Sequence, residues 1–242
     1  MASNEKKFRV LVTDTVWPTT QPEREVLDRI GAEIVEAPDP SEATLMALAA
    51  DVDAIMTCFA QVTPKVVQAA KKCQVISRYG VGVDNIAVDT ATTEGIVVTY
   101  LPDYCVDEVS DHVMALLLTW NRQIGFYNGV AKEGRWSGVS SPAPLVRLRG
   151  RKLGIAGLGR IGRAVAVKAQ AFGLEVSAHD PYLPAGISPP SDVRMVDLPT
   201  LLAESDYITL HTPLNEETLG YIGAGEFAMM KPSAFIINCA RG

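Results

Sequence analysis

The sequence predicts an α/β protein built on parallel sheets, and two observations carry that prediction. Short apolar runs that read as strands alternate with helical segments along nearly all of the 242 residues. That alternation is the pattern of a parallel sheet covered on both faces. In the second half, Gly154–Val165 reads GIAGLGRIGRAV and sets Gly157, Gly159 and Gly162 in the order G-x-G-x-x-G. Leu153–Ala156 before it reads as a strand, and Arg163–Phe172 after it has helical spacing. Asp180 follows Gly162 with 17 residues between them, just past the apolar run Leu174–Ala178.

Strand, glycine turn, helix, strand and acid each have a task in holding a dinucleotide. Gly157 permits the tight turn. Gly159 lacks a Cβ, so the backbone can approach a pyrophosphate. Gly162 lets the helix pack close to the strand, and the helix N-terminus offers free N–H groups and a positive dipole end. A lone G-x-G-x-x-G is a weak signal; in this context it predicts a Rossmann-type nucleotide domain.

From the N-terminus, Arg9–Thr13 reads as a strand and Glu23–Ile30 as a helix stopped by Gly31. Ala32–Glu36 is a second strand. Ser41 is placed to cap a helix over Ser41–Ala50. Ala54–Thr57 is a third strand, and Thr63 caps a helix with Pro64 at its first position. Val75–Arg78 and Ile96–Thr99 complete five strands. The first domain is therefore expected over residues 1–104.

The second domain is expected over 105–242, with its sheet starting near Arg151. Val106–Trp120 reads as a strongly apolar helix whose apolar side is too wide for an ordinary surface helix. It is expected at a domain junction and against another subunit. Gly125–Pro144, with Trp136, reads as a turn of helix and then an arm. Val193–Val196, Tyr207–His211 and Ala234–Ala240 are further strands, Leu198–Glu204 is a helix, and Glu216–Lys231 contains a helix broken near Gly223 and Gly225.

Composition narrows the partners. Hydrophobic residues make up 48% and charged ones 21%, which marks a globular chain and not a disordered one. The net charge of −6 argues against nucleic acid and anionic membranes as partners. The basic run Arg147–Lys152 is short and reads as a solvated linker. Cys58, Cys73, Cys105 and Cys239 form no C-x-x-C pair, so they read as reduced thiols, and no metal site is expected. The polar start MASNEKKF runs straight into a strand, and no apolar stretch approaches the ~20 residues of a bilayer span. A cytoplasmic protein is expected.

Four stretches resemble the D-isomer-specific 2-hydroxyacid dehydrogenases, most of all their D-3-phosphoglycerate dehydrogenase-like branch. They are SRYGVGVDNI at Ser77–Ile86, GLGRIGR with HDPY at His179–Tyr182, LHTPLNEETLGYIG at Leu210–Gly223, and INCARG at Ile237–Gly242. The resemblance implies a flavodoxin-like N-terminal substrate domain, a Rossmann NAD-binding domain, and a homodimer. It implies hydride transfer between a nicotinamide and a 2-hydroxy or 2-oxo acid. It also implies a C-terminally truncated chain, because the family's acid/base histidine and its glutamate partner lie downstream of the NCARG arginine. The last nucleotide-domain strand and a returning helix lie there too. A non-catalytic NAD-binding, corepressor-like protein is the alternative.

The resemblance places cofactor contacts at Gly157, Gly159, Arg160, Ile161, Gly162, Asp180, His211, Thr212, Pro213, Thr218, Cys239 and Ala240. Asp180 would accept hydrogen bonds from the adenosine ribose, and a carboxylate followed by Pro181 with no arginine favours NAD over NADP. The substrate carboxylate is expected at Tyr79, Gly80, Val81 and Gly82, within Arg78–Val83, where Gly80 and Gly82 could turn adjacent N–H groups into an anion nest. Arg241 is the one catalytic residue, its planar fork suited to a carboxylate and the 2-oxo oxygen. His112, His179 and His211 are poor substitutes for the missing acid.

Overall fold

The computed structural model describes residues 8–135, 137–183, 186 and 188–241. Trp136 of the expected arm and the terminal Gly242 lie outside the described residues. The chain divides into two compact units, Met1–Tyr104 and Cys105–Gly242.

The first unit begins with β1 (Phe8–Val12), α1 (Gln21–Leu27) and β2 (Ala32–Glu36). Then come α2 (Glu42–Ala49), β3 (Ala54–Thr57), α3 (Pro64–Ala69), β4 (Val75–Arg78), α4 (Val88–Thr93) and β5 (Val97–Thr99). Two caps act as the sequence expects: the Ser41 hydroxyl accepts from the Thr44 amide and the Thr63 hydroxyl from the Val66 amide, both at 3.4 Å. The α1 helix ends sooner than its apolar spacing suggests, and Asp28–Ile30 tightens into a 3₁₀ turn closed by Gly31 in the left-handed region. The α4 helix, rich in threonine, carries no apolar periodicity that would announce it. All strand pairs are parallel, in the order β2-β1-β3-β4-β5. This is the flavodoxin-like order, whose topological switch falls between β1 and β3. Leu11, Ile55 and Ile76 from three strands pack against Leu45, Val66 and Ala91 from the helices.

The second unit opens with α5 (Val106–Asn121) and α6 (Ile124–Lys132). The sheet and its helices follow: β6 (Lys152–Ala156), α7 (Arg160–Ala171), β7 (Glu175–His179), β8 (Val193–Met195), α8 (Leu198–Glu204), β9 (Tyr207–Leu210), α9 (Ala224–Met229) and β10 (Phe235–Asn238). The parallel sheet runs β10-β9-β6-β7-β8, the 3-2-1-4-5 order of a Rossmann half-and-more, with β10 at an edge. Ile155, Val165, Ala166, Val113 and Leu117 form the core on one face, and Leu201, Leu202 and Ile208 that on the other.

The α5 helix has the expected span, while α9 and α6 depart from theirs. The α5 helix buries an ordinary stripe, Ser110, Val113, Met114, Leu117 and Asn121, against α7 and the sheet. Leu116 and Trp120 stay exposed, and Trp120 stacks on Phe235 at 4.9 Å. The buried Asn121 amide donates to the Tyr207 hydroxyl at 2.8 Å, which pins α5 to β9. The helix expected within Glu216–Lys231, broken near Gly223 and Gly225, is confined to α9, because Asn215 and Thr218 close residues 215–218 into a turn first. The Asn215 carboxamide oxygen accepts from the Thr218 amide at 2.9 Å, and the Thr218 hydroxyl accepts from the Asn215 amide at 2.9 Å. Asn side chains favour such turns over helix interiors. Conversely, α6 is nine residues long, more than the single turn expected there.

Candidate functional site

Parallel strands leave one edge of a sheet together, so the C-terminal ends of β6, β7, β9 and β10 bring distant residues side by side. From β6 the chain enters the glycine turn. Gly157 has φ +94°, and a Cβ there would stand 2.8 Å from the His211 carbonyl carbon. Gly162 is equally constrained, because a Cβ would overlap the Gly157 carbonyl oxygen. Gly159 differs: it precedes α7 directly, and a Cβ there would meet nothing within 4 Å. Two glycines are required by packing and the third leaves open space at a helix N-terminus, where a diphosphate fits. Arg160, exposed, and Ile161, packed on the core, begin that helix.

Asp180 follows β7 and closes on the same turn. One carboxylate oxygen accepts from the Leu158 amide at 2.8 Å and the other from the Tyr182 amide at 2.9 Å. The acid is thus held against the turn, and its remaining lone pairs are available to ribose hydroxyls. Arg163 adds a second tie, donating from Nε to the Leu158 carbonyl at 3.0 Å and from Nη1 to the Ser188 carbonyl at 2.8 Å.

His211 follows β9, and its amide donates to the Ala156 carbonyl at 2.8 Å. Its Nε2 lies 3.0 Å from the Thr209 hydroxyl, and burial holds the imidazole down at about 4, so it is neutral at pH 7. Thr212 lies against Gly157, Pro213 is exposed, and the Thr218 hydroxyl donates to the Pro213 carbonyl at 2.5 Å. Thr218 therefore shapes the turn after β9. Past β10, Cys239 is half-buried with its thiol pushed up by burial. The Ala240 amide is turned onto the Asn238 carboxamide at 2.9 Å. The exposed Arg241 donates to the Ala240 carbonyl at 2.9 Å.

In the first unit the corresponding strand ends are those of β1, β3 and β4. Arg78 is 8% exposed, its guanidinium 5.8 Å from the Phe59 ring centre, and its Nε has no hydrogen-bond partner among the described residues. Gly80 makes room for it, since a Cβ there would overlap the Arg78 guanidinium. Neither Gly80 nor Gly82 lies in the left-handed region, so the expected nest of alternating backbone is not formed. Tyr79 turns its ring toward Trp17 at 5.4 Å and its hydroxyl toward the Met56 sulfur, and its amide is spent on the Thr57 carbonyl at 2.9 Å. The positive charge at this loop is the arginine side chain and not a backbone cradle.

Asp14 is a member of this cluster that sequence reasoning did not find. Burial pushes its carboxyl up, but the amides of Cys58 and Phe59, at 2.9 and 2.7 Å, and the Thr13 hydroxyl outweigh that and hold it below the usual range. The signal for it was an acid directly after the first strand, at the switch point of the sheet. Among the described residues no group of three or more His, Cys, Asp or Glu is placed to hold a metal, and no helix is long and apolar enough to cross a membrane.

Comparison with known proteins bears on these two units. Residues 114–242 match the model of the D-isomer specific 2-hydroxyacid dehydrogenase NAD binding domain. The chain is 37% identical over 236 residues to a D-3-phosphoglycerate dehydrogenase of Methanocaldococcus jannaschii, covering 97% of this chain and 44% of that protein. It is 41% identical over 182 residues to one of Archaeoglobus fulgidus, covering 75% and 34%. It spans less than half the length of these curated relatives. The solved D-lactate dehydrogenase of Aquifex aeolicus, a complex with NAD and lactic acid, superposes with a TM-score of 0.87 at 26% identity, over 97% of this chain and 69% of that one. A glycine turn closed by Asp180, two parallel sheets of the expected orders, and similarity running through both units agree on one conclusion: the chain belongs to the D-isomer-specific 2-hydroxyacid dehydrogenase family.

Proposed function

We propose that this chain holds NAD and a 2-hydroxy or 2-oxo acid for hydride transfer, as an NAD-dependent D-2-hydroxyacid dehydrogenase. The observation that carries the reading is the glycine turn, open at Gly159 and braced by Asp180 and His211. A bound nicotinamide supplies the hydride. The chain's own residues do the rest: α7 and Gly159 seat the diphosphate, Asp180 takes the ribose, and the 211–213 segment lines the nicotinamide side with Cys239 and Ala240. Arg241 grips the substrate carboxylate and polarises the 2-oxo group. Within the first unit, the Arg78 side chain beside residues 79–82 offers an anion contact of its own. 3-Phosphoglycerate is the first substrate to test, because the archaeal relatives bear that activity in their names. The exposed Leu116 and Trp120 on α5 support a homodimer through the nucleotide unit.

The proton is a separate matter. His211 is neutral and faces Thr209, and His179 points its Nδ1 at the Val196 carbonyl at 3.0 Å. His112 is exposed on α5 and lines a cavity with Glu108, Asn238 and Cys239, but among the described residues no hydrogen bond orients its ring. None has the setting of a general acid, a contribution of typically 10²–10⁴-fold. This favours, as a second reading, a chain that binds NAD and turns over little. Calorimetry and NADH oxidation with a panel of 2-oxo acids separate the two. The expected result is NADH binding at least tenfold tighter than NADPH, narrowed by Asp180→Ala, with turnover below that of a full-length relative by about two orders of magnitude or more. Equal affinity for the two cofactors would sink the NAD assignment. Turnover within about tenfold of the relative would sink the account of the proton.

A further inference from the structure

We propose that Glu217, tied to Asp180 through Tyr182, is a second discriminator against a 2′-phosphorylated dinucleotide; the proposal rests on the NAD reading above. Tyr182 carries two bonds to two acids. Its amide donates to Asp180 Oδ1 at 2.9 Å, and its hydroxyl donates to Glu217 Oε2. The two carboxylates are therefore bridged by one tyrosine, with a hydrogen bond at each end. Tyr182 follows β7 and Glu217 follows β9, and these strands flank β6 on either side. The link consequently runs from one side of the glycine turn to the other, beside the space left open at Gly159.

Glu217 is also held from behind. Its amide donates to the Asn215 carboxamide oxygen at 3.1 Å, within the turn that Thr218 closes. The carboxylate raises the pKa of the Tyr182 hydroxyl, which at neutral pH is a donor in any case. Among the described residues neither Asp180 nor Glu217 has a salt-bridge partner, in contrast to Glu204 or Asp206 of the same unit. Arg163, the cation braced against the turn, is turned away: two of its nitrogens are spent on carbonyls and Nη2 is buried. Arg160 stands at the start of α7, where the diphosphate would occupy it.

A ribose on Asp180 thus meets two carboxylates that no salt bridge offsets, while the Arg163 guanidinium behind the turn, bonded to neutral carbonyls, keeps its positive charge. A 2′-hydroxyl is indifferent to the second carboxylate. A 2′-phosphate, with one to two negative charges of its own, comes within a Debye length of both. At partly exposed separations of this order, one carboxylate changes its affinity by roughly fivefold at low salt.

The test is titration calorimetry of NADH and NADPH with the 242-residue chain and its variants Asp180→Ala, Glu217→Gln and Tyr182→Phe, at low salt and at about 0.3 M salt. Glu217→Gln keeps the shape and the hydrogen bond, so it is expected to tighten NADPH by about fivefold at low salt and to leave NADH within twofold. That gain shrinks at high salt. Tyr182→Phe frees Glu217 and recovers part of the effect. A purely structural role for Glu217 would instead weaken both cofactors alike, at either salt concentration. That result, or an unchanged NADPH affinity in Glu217→Gln, overturns the proposal. If Asp180→Ala narrows the cofactor gap and Glu217→Gln does not, only this inference fails. If the unaltered chain holds the two cofactors equally, the NAD reading fails with it.

Discussion

Three glycines within six residues perform two different kinds of work. Gly157 and Gly162 are set by what already touches them, the His211 backbone and the Gly157 carbonyl, both too close to leave room for a Cβ. A Cβ at Gly159 would meet nothing within 4 Å, so packing does not require a glycine there. Gly162→Ala should therefore lower stability by about 2–4 kcal/mol, as overpacking against rigid backbone does. Gly159→Ala should leave the unfolding midpoint almost unchanged while NADH affinity falls by tenfold or more. Denaturant melts and calorimetry on both variants check this contrast. A Gly159→Ala protein that keeps its affinity would remove the diphosphate from this turn. The motif alone shows where glycines stand; the distances show which of them the fold itself requires.

Elements carry residues to the site by register. β9 pairs with β6 so that Ala156 faces Leu210, and His211 follows as the next rung, half-buried against the turn. That burial has a pH consequence. The imidazole has a pKa near 6.5 when unfolded and about 4 in the native state. Below about pH 6.5 the unfolded chain binds the proton that the folded chain refuses, so stability is complete above that pH and declines as pH falls toward 4. The loss is on the order of 2 kcal/mol, allowing for partial exposure of the ring. His211→Gln keeps a polar neighbour for Thr209 and should flatten this slope between pH 6.5 and 4.5 in urea melts. An unaltered slope would show that other groups titrate there. The same logic of elements explains why the helix after β9 starts late: Asn215 and Thr218 bond the chain into a turn before a helix over 216–222 can start.

At the scale of the whole molecule, the chain has two separate sets of core residues, one around Leu11, Ile55 and Ile76 and another around Ile155, Val165 and Leu202. Every proposed cofactor contact lies in the second unit. Saturating NADH, at about 100 times its dissociation constant, should then add roughly 2.7 kcal/mol to that unit. In hydrogen exchange, amides of β6, α7 and β9 should slow by up to about a hundredfold, while those of β1, β3 and β4 keep their rates. Equal slowing in both units would mean that they unfold as one cooperative block and that the assignment of NADH to one of them is unsupported by this measurement.

Much was legible in the sequence because it is local. Strand runs, the caps Ser41 and Thr63, and the spacing from Gly157 to Asp180 are set by neighbours along the chain, where side-chain periodicity and backbone sterics act. By itself the sequence determined an α/β chain with a dinucleotide turn, and the similarity of its four motifs to one family. Only the tertiary structure decided the rest. The strand orders follow from long-range pairing that no local pattern encodes. The loop after β4 turns on Arg78, buried with its guanidinium near Phe59, and that side chain leaves Gly80 no room for one of its own. Asp14 joined it because parallel strands end on a common edge, which sets residues more than sixty positions apart in one cluster. Tyr182 found Glu217 for the same reason, across the strand that carries the glycines.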